Sequence, residues 1–270
     1  MSPEKQIQTL REEIRRHDHA YYTLAKPAIS DQKYDQLLRE LIELENAHPE
    51  FFDPNSPSQR VGAQAIDKFK SMEHRVPMMS IDNTYDEGDF RAFDHRVREM
   101  LDVATVIYTT EPKVDGVACS LRYEKGELIY ALTRGDGKRG DDITHNVRTI
   151  RTVPMHLQGK PPPVLEVRGE VFMENSTFQK INLERAEKGE ETFANPRNFT
   201  AGTLKQLDPT NARERNLKFA AHGFGEVVGF DDDSYFDRLN SLKQFGIPLN
   251  EHVARVNGVE EAWKAIEDFA

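Results

Sequence analysis

Two runs rich in β-branched and aromatic residues, VACSLRY (117–123) and ELIYALT (127–133), are separated only by Glu124-Lys125-Gly126. Three residues close a hairpin but are too few for the crossover that parallel strands need, so this pair must be antiparallel. Further strands are predicted at VATVIYTT (103–110), VLEVRGEVF (164–172) and LKFAAHGF (217–224). Single helices separate them. One spans Glu87 to Leu101, with Phe90, Phe93, Val97 and Met100 at helical spacing, and another runs from about Ser176 to Lys188, where Gly189 can end it. Two more are expected at about 234–245 and 259–269. Hairpin-grouped strands interrupted by single helices predict an α+β fold with an antiparallel sheet rather than a doubly wound parallel one.

The first seventy residues follow a different period. Ser2 can cap a helix that Pro3 opens, and Ile7, Leu10, Ile14, His17 and Tyr21 recur on one face as far as about Leu24. Lys26-Pro27 breaks it. A second helix from Ser30 or Asp31 carries Tyr34, Leu37, Leu38, Leu41 and Leu44 until His48-Pro49. FDPNSPS (52–58) has turn pairs and no periodicity, so a surface loop is expected, continuing as linker to about Ser71. The division expected is a helical unit over 1–70 and a mixed domain over 71–270.

Composition narrows the functional classes. The 36 Lys and Arg against 46 Asp and Glu give a net charge of −10, which disfavours this chain as the sole clamp on a nucleic-acid backbone. The single cysteine, Cys119, excludes an internal disulfide or multi-cysteine zinc site. No apolar run approaches a membrane span, and MSPEKQIQ lacks the apolar core of a secretory signal, so a cytoplasmic protein is expected.

Four polar clusters could carry chemistry. In EPKVDG (111–116), Lys113 lies between two predicted strands beside a turn-forming Asp115-Gly116 pair. That suits an amine nucleophile that must lose its proton to attack, and equally a surface lysine next to a turn. TRGDGKRGDD (133–142) combines three glycines with three cations, fit to cradle a phosphate or to form a solvated hairpin. In EVRGEV (166–171) the residues Glu166, Arg168 and Glu170 share one strand face, available to ribose hydroxyls or a metal ion, or to solvent and cross-strand ion pairs. NPRN (195–198) reads as a loop displaying Arg197.

Taken together and in this order, EPKVDG, TRGDG, EVRGEVF and FANPRN resemble the adenylation region of the bacterial NAD-dependent DNA ligases. The match extends over AYYTLAKPAISDQKYD (20–35), RVG (60–62), VPMMSIDNTY (76–85), DDITHNVRTIRTVP (141–154) and AGTLKQLD (201–208), nearly the whole chain. The resemblance implies that Lys113 attacks the α-phosphorus of NAD, expels nicotinamide mononucleotide and becomes lysyl-AMP. It implies that Glu111 contacts the adenine end, Arg134 and Glu170 the nucleotide and its ribose, and Ser80 and Ile81 the pocket wall. Asp115, Gly116 and Arg197 belong to the same nucleotide-binding signatures. It assigns the nicotinamide half to the helical unit, through Tyr21, Tyr22, Asp31, Tyr34 and Asp35, whose rings and carboxylates suit a cationic ring and ribose hydroxyls. Nicked double-stranded DNA, sealed with magnesium whose ligands the sequence leaves unknown, is the implied acceptor.

Two departures stand out. His222 occupies a position where the family usually carries a tyrosine that stacks on adenine, and Ala25 stands where aspartate is common. The resemblance also implies two further lysine-bearing segments, D-G-V-V-I-K and W-x-x-A-x-K, and downstream DNA-binding modules; none follows Glu251. On that reading the chain is an N-terminal piece or a truncated homologue, monomeric, with weak DNA binding of its own. The alternatives are a non-catalytic adenylate- or NAD-binding module, and another lysine-nucleotidylating enzyme such as an RNA ligase or capping enzyme, which the helical unit disfavours.

Overall fold

A computed structural model describes residues 2–20, 28–62, 68–230 and 234–269. The N-terminal pair is α1 (Pro3–Asp18) and α2 (Asp31–Ala47). Ser2 and Ser30 cap them, each accepting from the backbone N–H three residues on. Ile7, Leu10, Ile14, Leu37 and Leu41 form their shared core, the stripe expected from the period. Residues 21–24, where the first helix was expected to end, lie outside the described residues.

The expected surface loop at 52–58 is instead largely internal: Asn55, Ser56 and Ser58 are buried. The cause is Glu45. Its carboxylate accepts from Ser56 Oγ at 2.7 Å, from Ser58 Oγ and from Arg11 Nε at 2.8 Å. Turn-forming residues here satisfy a buried ion pair, a need no local pattern announces. The chain then forms α3 (Gln59–Gly62), whose Arg60 donates to the carbonyls of Arg148, Ile150 and Val153.

Next come β1 (Ser71–Glu73), α4 (Glu87–Leu101), β2 (Ile107–Thr110), β3 (Val117–Glu124), β4 (Glu127–Thr133), β5 (Arg139–Asp141) and α5 (Thr144–Val147). They are followed by β6 (Val164–Phe172), α6 (Asn175–Glu187), α7 (Pro196–Leu204), α8 (Thr210–Glu214), β7 (Lys218–Val228), α9 (Tyr235–Gln244), β8 (Ala254–Asn257) and α10 (Gly258–Glu267). The central sheet is antiparallel in the order β4-β3-β6-β7, and β1-β5 and β2-β8 form two-stranded antiparallel ribbons. The fold is therefore α+β, as expected. The strand expected at 103–110 is shorter, because only Ile107–Thr110 finds a partner, in β8.

The two faces of the central sheet differ. Cys119, Leu121 and Tyr123 of β3, Leu165, Val167 and Val171 of β6, and Phe219 and Ala221 of β7 point into the main core. Ile143, Val147 and Ile150 pack there together with Leu204 of α7 and Leu239 and Leu242 of α9. The opposite face carries Ala118, Ser120, Arg122, Glu166, Arg168, Glu170, Ala220 and His222, and it is on this face that the candidate site forms.

Candidate active site

Sheet register builds the floor of a cavity of about 630 Å³. Ala118 of β3 lies opposite Glu170 of β6, and Glu170 lies opposite Ala220 of β7. Two methyl side chains flanking one carboxylate leave a hollow over the sheet with an acceptor at its base. Its volume falls within the range of roughly 300–1,000 Å³ usual for small-molecule sites.

The EVRGEV face is thus not a solvent-facing strand. Glu166 is buried, accepts from Ser120 Oγ at 2.7 Å and from the Glu226 N–H at 3.2 Å. Arg168 donates to the carbonyls of Val76 at 2.5 Å and Pro77 at 3.1 Å. These bonds hold residues 76–81 over the sheet as one wall, which includes Met78, Ser80 and Ile81. The same strip is stitched to the glycine-rich turn, since Met78 N–H donates to Gly137 O and His74 N–H to Lys138 O, both at 2.8 Å. That turn is a hairpin braced by Asp136, which accepts from the N–H groups of Lys138 and Arg139. Only Arg134 of its three cations enters the cavity lining, and it donates to Ser80 Oγ at 2.7 Å.

The stretch 111–116 forms the second wall. Glu111 and Lys113 both line the cavity, Lys113 exposed at its edge. Burial pushes the Glu111 carboxyl above the usual range, with His222 pulling partly the other way. His222 Nε2 stands 3.7 Å from Glu170 Oε1. Seven sequence-predicted residues, Ser80, Ile81, Glu111, Lys113, Arg134, Glu170 and His222, therefore border one cavity.

Others lie elsewhere. Asp115 and Arg197 pair at 3.5 Å, both exposed and outside the lining. Arg197 sits in the first turn of α7, capped by Asn195, so the expected loop at 195–198 is a helix start. Gly116 is buried, and a Cβ there would lie 2.5 Å from Val171 O, so the residue lets β3 close on β6. Tyr34 packs against the helical core and donates to Asp18 Oδ1 at 2.7 Å; burial, then the Asp18 charge, push its phenol upward. Asp35 is exposed on α2, away from the cavity lining. Tyr21 and Tyr22 lie outside the described residues, as does the Asp31 side chain.

Two lining residues with clear roles, Asn250 and Tyr235, are not singled out by the sequence. Asn250 donates to Pro112 O at 3.1 Å, fixing the backbone next to Lys113 from 138 positions away. Tyr235, at the start of α9, donates its hydroxyl to His222 O, and burial followed by the Glu111 charge raises its phenol to about 12. Arg168, expected on a face open to ligand or solvent, instead anchors the 76–81 wall. Among the described residues, one group of three His, Cys, Asp or Glu ligand atoms could hold a metal: Asp53, Glu127 and His156, within 4.8 Å of one another. It lies outside the cavity, and Arg11 and Arg15 already compete for Asp53. Among the described residues, the cavity's own acids do not form such a group.

A family model for the NAD-dependent DNA ligase adenylation domain matches residues 66–270, and one for the DNA ligase-like N-terminal NAD+-binding domain matches residues 1–62. The chain belongs to the NAD-dependent DNA ligase family. Relatives named DNA ligase include that of Akkermansia muciniphila, 48% identical over 272 residues, which cover 98% of this chain and 34% of the relative. That of Pseudothermotoga lettingae is 46% identical over 96% of this chain and 38% of the relative, and that of Ectopseudomonas mendocina 47% over 95% and 34%. The chain spans about a third of the length of these curated relatives. Among the described residues, no helix is long and apolar enough to cross a membrane.

Proposed function

We propose that this chain is the lysine-adenylating part of an NAD-dependent DNA ligase. It divides at about residue 70 into a helical unit, 1–70, for the nicotinamide mononucleotide half, and a nucleotidyltransferase domain, 71–270. The carrying observation is the single cavity that joins Lys113 to Glu111, Arg134, Glu170 and His222. In this reading adenine enters beside His222, with Glu111 at its edge, and Glu170 accepts from the ribose hydroxyls. Arg134 and Lys113 meet the phosphates. The Lys113 amine, once deprotonated, forms a nitrogen–phosphorus bond at the α-phosphorus; the bond to the bridging oxygen breaks and nicotinamide mononucleotide leaves with that electron pair. Arg134, oriented by Ser80, offers its guanidinium to the charge developing on the phosphoryl oxygens.

Tyr21, Tyr22, Asp31, Tyr34 and Asp35 are assigned to the nicotinamide half, and Asp115, Gly116 and Arg197 to the surroundings of Lys113. The acceptor is the 5′-phosphate of nicked duplex DNA, engaged through the longer enzyme, because a net charge of −10 gives residues 1–270 little hold on a phosphate backbone. A monomer in the cytoplasm completes the reading.

The test is intact mass after incubation with NAD and magnesium. An added AMP on the parent chain, absent from Lys113→Ala, is the expected result. An unshifted parent mass favours a binding module without transfer.

A further inference from the structure

A second cavity, of about 410 Å³, lies at the junction of the helical unit and the sheet domain, between α1, the loop before α3 and residues 151–158. Its charge runs against that of the chain. Arg15, Arg16, Arg60 and Arg151 line it, against Glu12 and Asp18, in a protein of net charge −10. Of the two acids, Asp18 is already occupied, accepting from Tyr34 and standing 3.9 Å from Arg60 Nε.

Three nitrogens of lining residues, Arg15 Nε, Arg60 Nε and His156 Nε2, are buried and meet no hydrogen-bond criterion among the described residues. Two of them face carboxylates, Asp18 at 3.9 Å from Arg60 Nε and Asp53 at 3.5 Å from His156 Nε2, while Arg15 reaches Asp53 through Nη2 at 3.3 Å and leaves its Nε unmet. A buried donor is costly to leave unmet, and the Arg15 Nε–H beside a hollow lined by three more arginines calls for an acceptor. Burial lowers the Arg15 guanidinium from its ordinary value, Asp53 works in the opposite sense, and Arg11 lowers it further; an anion would relieve that crowding. Arg16 and Arg151 are exposed, giving the cavity a cationic mouth.

We infer that this junction cavity binds a small phosphate-class anion, most tightly one of pyrophosphate charge, and that the bound anion ties the helical unit to the sheet domain. The site is separate from the Lys113 cavity and shares no lining residue with it. The inference does not rest on the adenylation reading.

The experiment is calorimetric titration of the NAD-free chain with inorganic phosphate and with inorganic pyrophosphate in chloride buffer. Arg16→Gln/Arg151→Gln is compared with Lys113→Ala, and each variant is first melted to confirm that it folds. Expected is saturable pyrophosphate binding, tighter than that of phosphate and weakened by salt. It should persist in Lys113→Ala and fall by about tenfold or more in the double variant, the scale of a lost charge-assisted contact. Pyrophosphate should also raise the melting midpoint of the parent more than that of the double variant. Absence of binding by the parent, equal binding by parent and double variant, or loss in Lys113→Ala instead would each overturn the inference; the last would seat the anion in the Lys113 cavity.

Discussion

The helical unit and the sheet domain use polar residues in opposite ways. Among the described residues of the helical unit five buried aliphatic side chains form the core, and Arg11, Glu45, Ser56 and Ser58 complete the packing. In the sheet domain the apolar core occupies one face and the candidate active site the other. A polar residue in a small unit therefore carries structure first, whereas one over a large sheet is free for chemistry.

The sharpest test of that contrast is Lys113→Ala, which should abolish the AMP adduct while changing stability by less than about 0.5 kcal/mol in denaturant melts, as expected for an exposed position. A stability loss comparable to that of a core residue would erase the distinction. Asp35→Ala probes the exception within the helical unit: exposed on α2, it should abolish adduct formation from NAD with the melt unchanged. Equal labelling of variant and parent would remove Asp35 from the nicotinamide site.

Glu45→Ala should cost about 3 kcal/mol, because it removes the carboxylate 2.6 Å from the largely buried Arg11 guanidinium and leaves that charge only Phe51 O and Asp53 at 3.9 Å. Urea unfolding measures it. Tyr34→Phe should cost about 1–2 kcal/mol by removing the bond to buried Asp18, and a fall in adduct formation well beyond that loss would show the hydroxyl serving ligand as well as fold. The smallest effect expected is an acid one. Burial opposes ionisation of Asp53, but His156, the Asn55 N–H and Arg11 outweigh it and hold the carboxyl at about 2. A depressed carboxyl contributes stability that is full above its unfolded value of about 3.8 and lost as pH falls through about 2. Asp53→Asn should therefore flatten the pH dependence of melting in that window and leave the rest of the profile in place.

What the sequence disclosed follows the same division. β4 and β6 occupy the predicted residues, 127–133 and 164–172, because alternation and β-branching are local and the fold buries them accordingly. Alternation placed Glu166, Arg168 and Glu170 on one strand face but left that face as open to solvent as to a ligand, and it was the resemblance that marked the motifs as a site. Features set by distant partners were not visible. β2 ends where β8 ceases to pair with it, Asn250 reaches Pro112 across the fold, and residues 52–58 turn inward to meet Glu45. The start of α7 was legible and was misread, since Asn195 followed by Pro196 is a cap and a first helical position. Tyr235 carried no local sign of its role, because its hydroxyl finds His222 only once α9 docks beside β7.

Gly137 has a φ of +88°, and a methyl group there would meet Met78 O at 2.8 Å. The strip carrying Ser80 and Ile81 can lie so near the hairpin only because this residue has no side chain. The width of the cavity is thus adjustable from outside it: a bulkier residue at 137 would lever the strip of Ser80 and Ile81 outward, and under the proposed reading it would loosen the grip on the adenylate without replacing any lining side chain.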